Sequence, residues 1–529
     1  MCSVPANTNP LRRLRGRPTA WAIRGAACAL ALVTLAAAAQ TAGSVEPAAP
    51  VSRRAPYAGQ LPTLGDGSEL GAAAERRLGD RIAREIYRDP DYIDDAILRD
   101  YVESIWQPLL AAARLRGDLS AELDQRFAWE IMLGRDRSVN AFALPGGYFG
   151  LHLGLIGIVS SRDELASVLA HELSHVTQRH ISRLISKQGE QTPWLIGALI
   201  LGALAASKSP DAAGALVTGG QAIAAQSQLN FSRDMEREAD RVGFGVLTQA
   251  GFAPQGFVSM FDKLQQASRL NDNGAFPYLR SHPLTTERIA DIQSRQPVGA
   301  ASPQLGEQTL EHAMVSARAR ALANPGVDGL RQMLLDADAP ALGQLPKARQ
   351  VAVLYGAALA GMRLRDTGAA RLHLARLTEL TRGNALAERQ SALLAADTAL
   401  QLGQPMPVLG GTARPEIMLS AQGLVRSGQA AQASQSLLTW LAVHPRDAGA
   451  WQLLADASVA QGQTLRAVRA EAEARVAQLD YAAALDRFKS AQLLLRNATG
   501  GAVDHFEASI IDTRARVVQQ LFREQSLER

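Results

Sequence analysis

The chain has 529 residues, of which 47% are hydrophobic, 20% charged and only 5% aromatic. That length is too great for one ordinary core, so two or three domains are expected, and the composition excludes a disordered chain. The formal charge of +4 depends on Arg12, Arg13, Arg15, Arg17 and Arg24, all within residues 1–40 and with no acid beside them. The remainder is slightly negative, which excludes a nucleic-acid reading drawn from an overall basic pI.

Residues 1–40 have the build of a secretory signal: a basic start, an apolar run Ala26–Ala39, and small residues suited to cleavage near 38–43. The run of fourteen is shorter than the about 20 residues a membrane span needs, and a retained signal anchor is the alternative. Both cysteines, Cys2 and Cys28, fall in this segment. The mature chain is therefore expected to lack disulfides and Cys-ligated metals. Cys28 precedes most of the apolar run, which argues against a lipid-modified N-terminal cysteine. An exported, thiol-free chain suits the periplasm.

The Pro/Ala-rich stretch 41–60 is expected to be a flexible lead-in. A first domain is placed at 61–298. It begins with a helical pattern from about 68 to 116, carried by Leu70, Leu78, Ile82, Ile86 and Tyr87. Residues 126–133 and 139–152 read as strands, the second punctuated by Pro145-Gly146-Gly147. A helix is predicted from Arg162 to about Gln188, capped by Ser160 or Ser161, with Asp163 and Glu164 in its first turn. The apolar run 194–206 reads as a buried or interfacial helix, with a membrane-dipping segment as the alternative. A further helix is predicted from about Ser232 to Thr248, closed by Gly251 and Pro254.

A linker is placed at 299–309 and a repeat domain at 310–529. Gly428, Ala433, Leu437 and Trp440 align with Gly462, Ala467, Glu471 and Ala474 at an offset of 34 residues. That period and its small residues are similar to the tetratricopeptide repeat, a pair of closely packed helices. Tyr481, Ala484, Phe488 and Ala491 echo it early, as if one helix served two neighbouring hairpins, and residues 351–404 read as looser copies.

The chemistry concentrates in HELSHVTQRH, residues 171–180. His171 and His175 are four apart and share a helical face, so both can bind one ion, while Glu172 stands beside it as a candidate base. Extrapolating the same helix, His180 points to the opposite side and reads as structural. A third ligand is sought in SRDMEREADRVG, where Glu236 and Asp240 share a face. Glu236 is the candidate ligand, and Asp240 the candidate partner for the outer N–H of a ligand histidine. The alternative is an ordinary charged helix face, but Glu236–Asp240 and Arg233–Arg237 are like-charge pairs that disfavour a bare helix.

The segment SVLAHELSHVTQRH, the later EREAD, and SHPLTTERI at 281–289 together resemble the HtpX-like and CAAX-prenyl-protease group of zinc metallopeptidases. The exported layout with C-terminal repeats is similar to the branch of that group acting in outer-membrane β-barrel assembly. The resemblance implies a mainly α chain: an α+β zincin-type domain with an HExxH helix and a small sheet, then helical hairpin repeats. It implies one Zn2+ held by His171, His175 and Glu236, with Glu172 as catalytic base. It implies that Asn140 and Ala141, on a strand beside the metal, contact the substrate backbone, with an internal hairpin as the alternative. His282 would be a fourth ligand that shuts the site, with a transition-state role or a plain surface-loop residue as the alternatives, and Arg288 would orient its loop or steady the oxyanion. The implied function is a periplasmic endopeptidase with chaperone activity, whose clients are misassembled outer-membrane β-barrels and whose partner is the barrel-assembly machinery. The competing reading is an assembly scaffold with a closed, structural zinc site.

Overall fold

The computed structural model describes residues 70–187, 232–269, 276–295, 308–323, 326–497 and 504–527. The expected signal segment, the lead-in 41–60, the apolar run 194–206 and most of the linker lie outside these residues.

Helix α1 (Ala72–Arg88) stops at Asp89, before Pro90. Proline lacks an N–H and disfavours helix in the residue before it. The helical pattern expected over 68–116 is therefore two helices with a short strand, β1 (Tyr92–Ile93), between them. Helix α2 (Ala96–Arg116) starts where the Asp95 side chain accepts the Leu98 N–H, and it ends at Gly117 with φ +76°. A short helix α3 (Ala121–Arg126) occupies the start of the first expected strand, which begins only at Glu130. Strands β2 (Glu130–Gly134), β3 (Ala141–Leu144) and β4 (Tyr148–His152) follow, with a Pro145–Gly147 turn whose glycines sit at φ +74° and +80°.

The sheet order is β1-β2-β4-β3, with β2 and β4 parallel and the two outer pairs antiparallel. Alternation assigns the faces. Ile131, Leu133, Phe149 and Leu151 face the larger core with Trp106 of α2, while Met132, Leu144 and Tyr148 face Leu78 and Ile82 of α1. Helices α4 (Leu153–Ile158), α5 (Arg162–Thr177) and α6 (His180–Lys187) come next. After them come α7 (Arg233–Gln249), α8 (Gln255–Arg269), α9 (Tyr278–Ser281) and α10 (Thr286–Ser294). Packed against α2, α7, α8 and β3, α5 is buried continuously from Glu164 to Thr177.

Helix α11 (Leu310–Leu322) inserts Val315 and Ala319 into this same core. Its His312 Nδ1 lies 2.6 Å from the Tyr101 hydroxyl and its Nε2 2.9 Å from the Val159 carbonyl. Antiparallel hairpins follow: α12 (Gly326–Asp338), α13 (Lys347–Arg363), α14 (Thr367–Thr381), α15 (Ala385–Gln401) and α16 (Arg414–Arg426). The chain closes with α17 (Ala430–Val443), α18 (Ala448–Ala460), α19 (Thr464–Ala477), α20 (Tyr481–Asn497) and α21 (His505–Leu527). Gly428 and Gly462 occupy equivalent left-handed turns at φ +80° and +69°, a conformation that favours glycine. Ala433, Leu437 and Ala467 are buried where the helices meet. Helix α20 packs against both α19 and α21 through Ala484, Phe488 and Ala491.

Three arginines fasten these hairpins to the start of α2. Arg318 bridges Asp95 and Asp397 at 2.6 and 2.9 Å, Arg389 bridges Asp100 and Glu416 at 2.8 and 2.6 Å, and Arg414 bridges Asp94 and Asp447 at 2.8 Å each. Each guanidinium spends its fork on two carboxylates from opposite sides of the contact.

Candidate metal centre

Helix α5 carries the first two donors. Ser161 caps it by accepting the Glu164 N–H, and the buried Glu164 carboxylate is held by Lys263 at 2.6 Å. One turn apart, His171 and His175 bring their Nε2 atoms to 3.0 Å of each other. Helix α7 brings Glu236 to them, Oε1 lying 3.4 Å from His175 and Oε2 3.5 Å from His171. The loop after α9 adds His282, whose Nδ1 lies 3.0 Å from Glu236 Oε1 and 3.4 Å from His171 Nε2. The ligand atoms of these four buried residues all lie within 4.8 Å of one another.

These separations are those of a coordination shell. A tetrahedron with bonds of about 2.0–2.1 Å has edges of about 3.3–3.4 Å. The charge fits as well. Glu172, Glu236 and Asp240 are three buried carboxylates against one buried guanidinium, Arg288, so negative charge is in excess. Burial and the neighbouring His171 push His175 well below the usual histidine range, so it stands as a neutral donor. Burial opposes charge on His171 too, but hydrogen bonds to Asp240 and Glu236 overcome it and raise that group to about 9. Burial would raise Glu236 and Asp240; cationic partners instead hold both below the usual carboxylate range. The cluster thus attracts positive charge, and its His/His/Glu/His donors suit a borderline metal ion.

Outside the ligand shell, Asp240 Oδ1 lies 2.9 Å from His171 Nδ1, the carboxylate–histidine arrangement that fixes a ligand's tautomer. Arg288 joins the parts. It reaches Asp240 at 2.6 Å and Glu236 at 2.7 Å, and it donates to the Pro283 carbonyl at 2.8 Å, beside His282. Arg288 thus ties both carboxylates to the backbone next to His282.

His180 corrects the helical extrapolation. The helix expected to run from Arg162 to about Gln188 breaks after Thr177, and Arg179 takes φ +54°. Helix α6 starts afresh and turns His180 back, so that its Nδ1 lies 2.8 Å from His175 Nδ1. Its Nε2 meets Glu238 at 3.0 Å, and Arg183 holds the same carboxylate at 2.7 Å. Neither glycine nor proline announces that break, so periodicity could not reveal it.

Glu172 is buried beside the cluster, and neither carboxylate oxygen accepts a hydrogen bond among the described residues. The His282 Nε2 is 3.5 Å from its Oε1. His282 thus spans two places, with Nδ1 among the metal donors and Nε2 at the candidate base. Tyr278 stacks on its ring, centroids 4.6 Å apart, a contact with no signal in the sequence. Just before β3, the Asn140 carbonyl accepts the His152 N–H at 3.0 Å. Antiparallel alternation therefore turns the backbone groups of Ala141 and Ala143 away from β4.

An HExxH helix against a small sheet, with a buried glutamate beside a three-histidine, one-glutamate cluster, defines a metallopeptidase. A model of Peptidase family M48 matches residues 101–296. A putative beta-barrel assembly-enhancing protease of Vibrio cholerae is 30% identical over 439 residues, spanning 81% of this chain and 87% of its own length. The beta-barrel assembly-enhancing protease of Escherichia coli strain K12 is 30% identical over 486 residues, 88% of this chain and 93% of its own. Mitochondrial metalloendopeptidase OMA1 of Saccharomyces cerevisiae is 28% identical over 206 residues, 37% of this chain and 55% of its own. The chain belongs to peptidase family M48.

Proposed function

We propose that this metallopeptidase is a zinc endopeptidase of the periplasm that removes misassembled outer-membrane β-barrel proteins, with chaperone activity residing in its repeats. The single observation that carries the catalytic part is Glu172, a buried carboxylate that accepts no hydrogen bond among the described residues, beside a four-ligand cluster. Support for the client class comes from the names and the coverage of the two bacterial relatives. Export by residues 1–40, the domain division at 299–309 and docking of the repeats on the barrel-assembly machinery belong to the same proposal.

In this reading His171, His175 and Glu236 would hold a zinc ion, which would supply Lewis-acid activation of water and of the scissile carbonyl. Glu172 takes the proton of the attacking water and passes it to the leaving amine. The outward backbone groups of Ala141 and Ala143 pair with an extended substrate. Asp240 fixes the His171 tautomer. His282 occupies the fourth donor position and faces Glu172, so the resting enzyme is shut until this loop withdraws. That feature favours a combined role, binding clients first and cleaving them conditionally.

The test is cleavage of an unfolded outer-membrane β-barrel by the purified mature chain. Cleavage that a chelator stops and zinc restores is expected, with a faster rate for His282→Ala. A rate indifferent to the chelator would overturn the reading.

A further inference from the structure

The two helical ligand histidines have chemically different outer partners. His171 meets the carboxylate of Asp240, whereas His175 meets another imidazole, His180, Nδ1 to Nδ1 at 2.8 Å. Between two such nitrogens there is room for one proton, and two neutral tautomers could supply it. If His175 holds it, His175 Nε2 presents a lone pair to the cluster. If His180 holds it, the His175 proton moves to Nε2 and points at the metal position, where it blocks ligation.

The next contact decides between them. The His180 Nε2 faces Glu238 Oε2 at 3.0 Å. An ionised carboxylate only accepts, so the one proton of a neutral His180 must sit on Nε2. His180 Nδ1 then accepts, and His175 is left with its proton outward and its lone pair inward. Arg183 anchors Glu238 at 2.7 Å, and Glu238 lines a surface cleft.

The backbone is strained to make this contact. Arg179, a non-glycine residue at φ +54°, costs about 1–3 kcal/mol in that conformation. It is held there by the buried Glu75 at 3.0 Å and by Ser182 at 3.1 Å. Held this way, the break brings a fully buried His180 onto the back of a ligand.

From this geometry we infer that His180 and Glu238 are positioning residues that set the metal-binding tautomer of His175. The inference depends on the metal-centre reading above and names a device within it. Arg183 and His180 meet the same oxygen, Glu238 Oε2, so in Glu238→Gln the amide oxygen accepts from both, and the polarity of the chain survives without its charge. Glu238→Leu removes the acceptor and with it the preference for a proton on His180 Nε2.

The test is zinc affinity of the full chain, measured by competition with a chelating dye, with thermal unfolding of the metal-free forms as the folding control. Glu238→Gln is expected to stay near wild type, whereas Glu238→Leu is expected to weaken zinc about 10- to 100-fold, the usual effect of losing a ligand's outer partner. His180→Gln, whose amide mimics Nε2 and not Nδ1, is expected to weaken it similarly. His180→Asn places an acceptor oxygen where Nδ1 was and is expected to stay near wild type. In the His180→Asn background, Glu238→Leu is expected to add nothing, because the chain is already cut.

Equal weakening by Glu238→Gln and Glu238→Leu would mean that only the charge matters and would overturn the inference. Wild-type affinity of Glu238→Leu would overturn it as well, even if substitutions at the buried His180 prevent folding. A wild-type chain that held no zinc would sink the metal-centre reading itself, a distinct result.

Discussion

Gly243 of α7 passes so close to Ala170 of α5 that a Cβ on it would lie 3.0 Å from the Ala170 carbonyl oxygen and 3.2 Å from the His171 Cα. One turn before this crossing lies Asp240, and one turn before that Glu236. The missing side chain is what lets α7 deliver both carboxylates to the histidines of α5.

Gly243→Ala should therefore run against helix propensity. At a free helix position the change would gain about 1 kcal/mol. Here the crossing must widen, and overpacking of about 1–3 kcal/mol is expected, with a matching loss of metal affinity. Denaturant unfolding and metal titration check both. A more stable variant with unchanged metal binding would show that the close crossing is not needed.

Arg288 is the only buried guanidinium touching Glu236 and Asp240 among the described residues. Arg288→Met removes the partner shared by both carboxylates, and the metal-free form should lose about 3–5 kcal/mol. Added divalent cation should recover much of that loss, because it neutralises the same charges. Thermal unfolding with and without zinc measures it; equal losses in the two states would contradict this electrostatic role.

Asp447 gives the pH dependence of the repeat contact. Burial alone would raise its carboxyl, but Arg414 and the Trp440 N–H more than offset burial and hold it at about 2. A depressed carboxyl contributes stability that is complete above its ordinary value of about 4 and fades as the pH falls towards 2. Wild type should exceed Asp447→Asn by about 2 kcal/mol at pH 6, and the gap should shrink below pH 4. A gap that is constant with pH in denaturant titrations would contradict the assignment.

Much of the site was legible because its donors obey helical geometry. The four-residue spacing of His171 and His175, and of Glu236 and Asp240, puts each pair on one face wherever the helices form. Between the two helices, spacing says nothing. Resemblance joined Glu236 and His282 to the histidines, and only the fold shows Arg288 touching both carboxylates and the loop. His180 was misplaced because the extrapolation assumed an unbroken helix, and Arg179 takes a left-handed conformation that no local residue choice signals. In the fold, Pro90 marked a break that the hydrophobic pattern ran through, whereas Gly428 and Gly462 read correctly because their 34-residue offset places equivalent turns.

Glu172→Gln, assayed for bound zinc and for cleavage of an unfolded β-barrel client in the same preparation, separates holding the metal from using it. Zinc content equal to wild type with cleavage lowered about 10²–10⁴-fold is expected if Glu172 is the base and not a ligand. Undiminished cleavage, or zinc lost together with activity, would contradict that assignment.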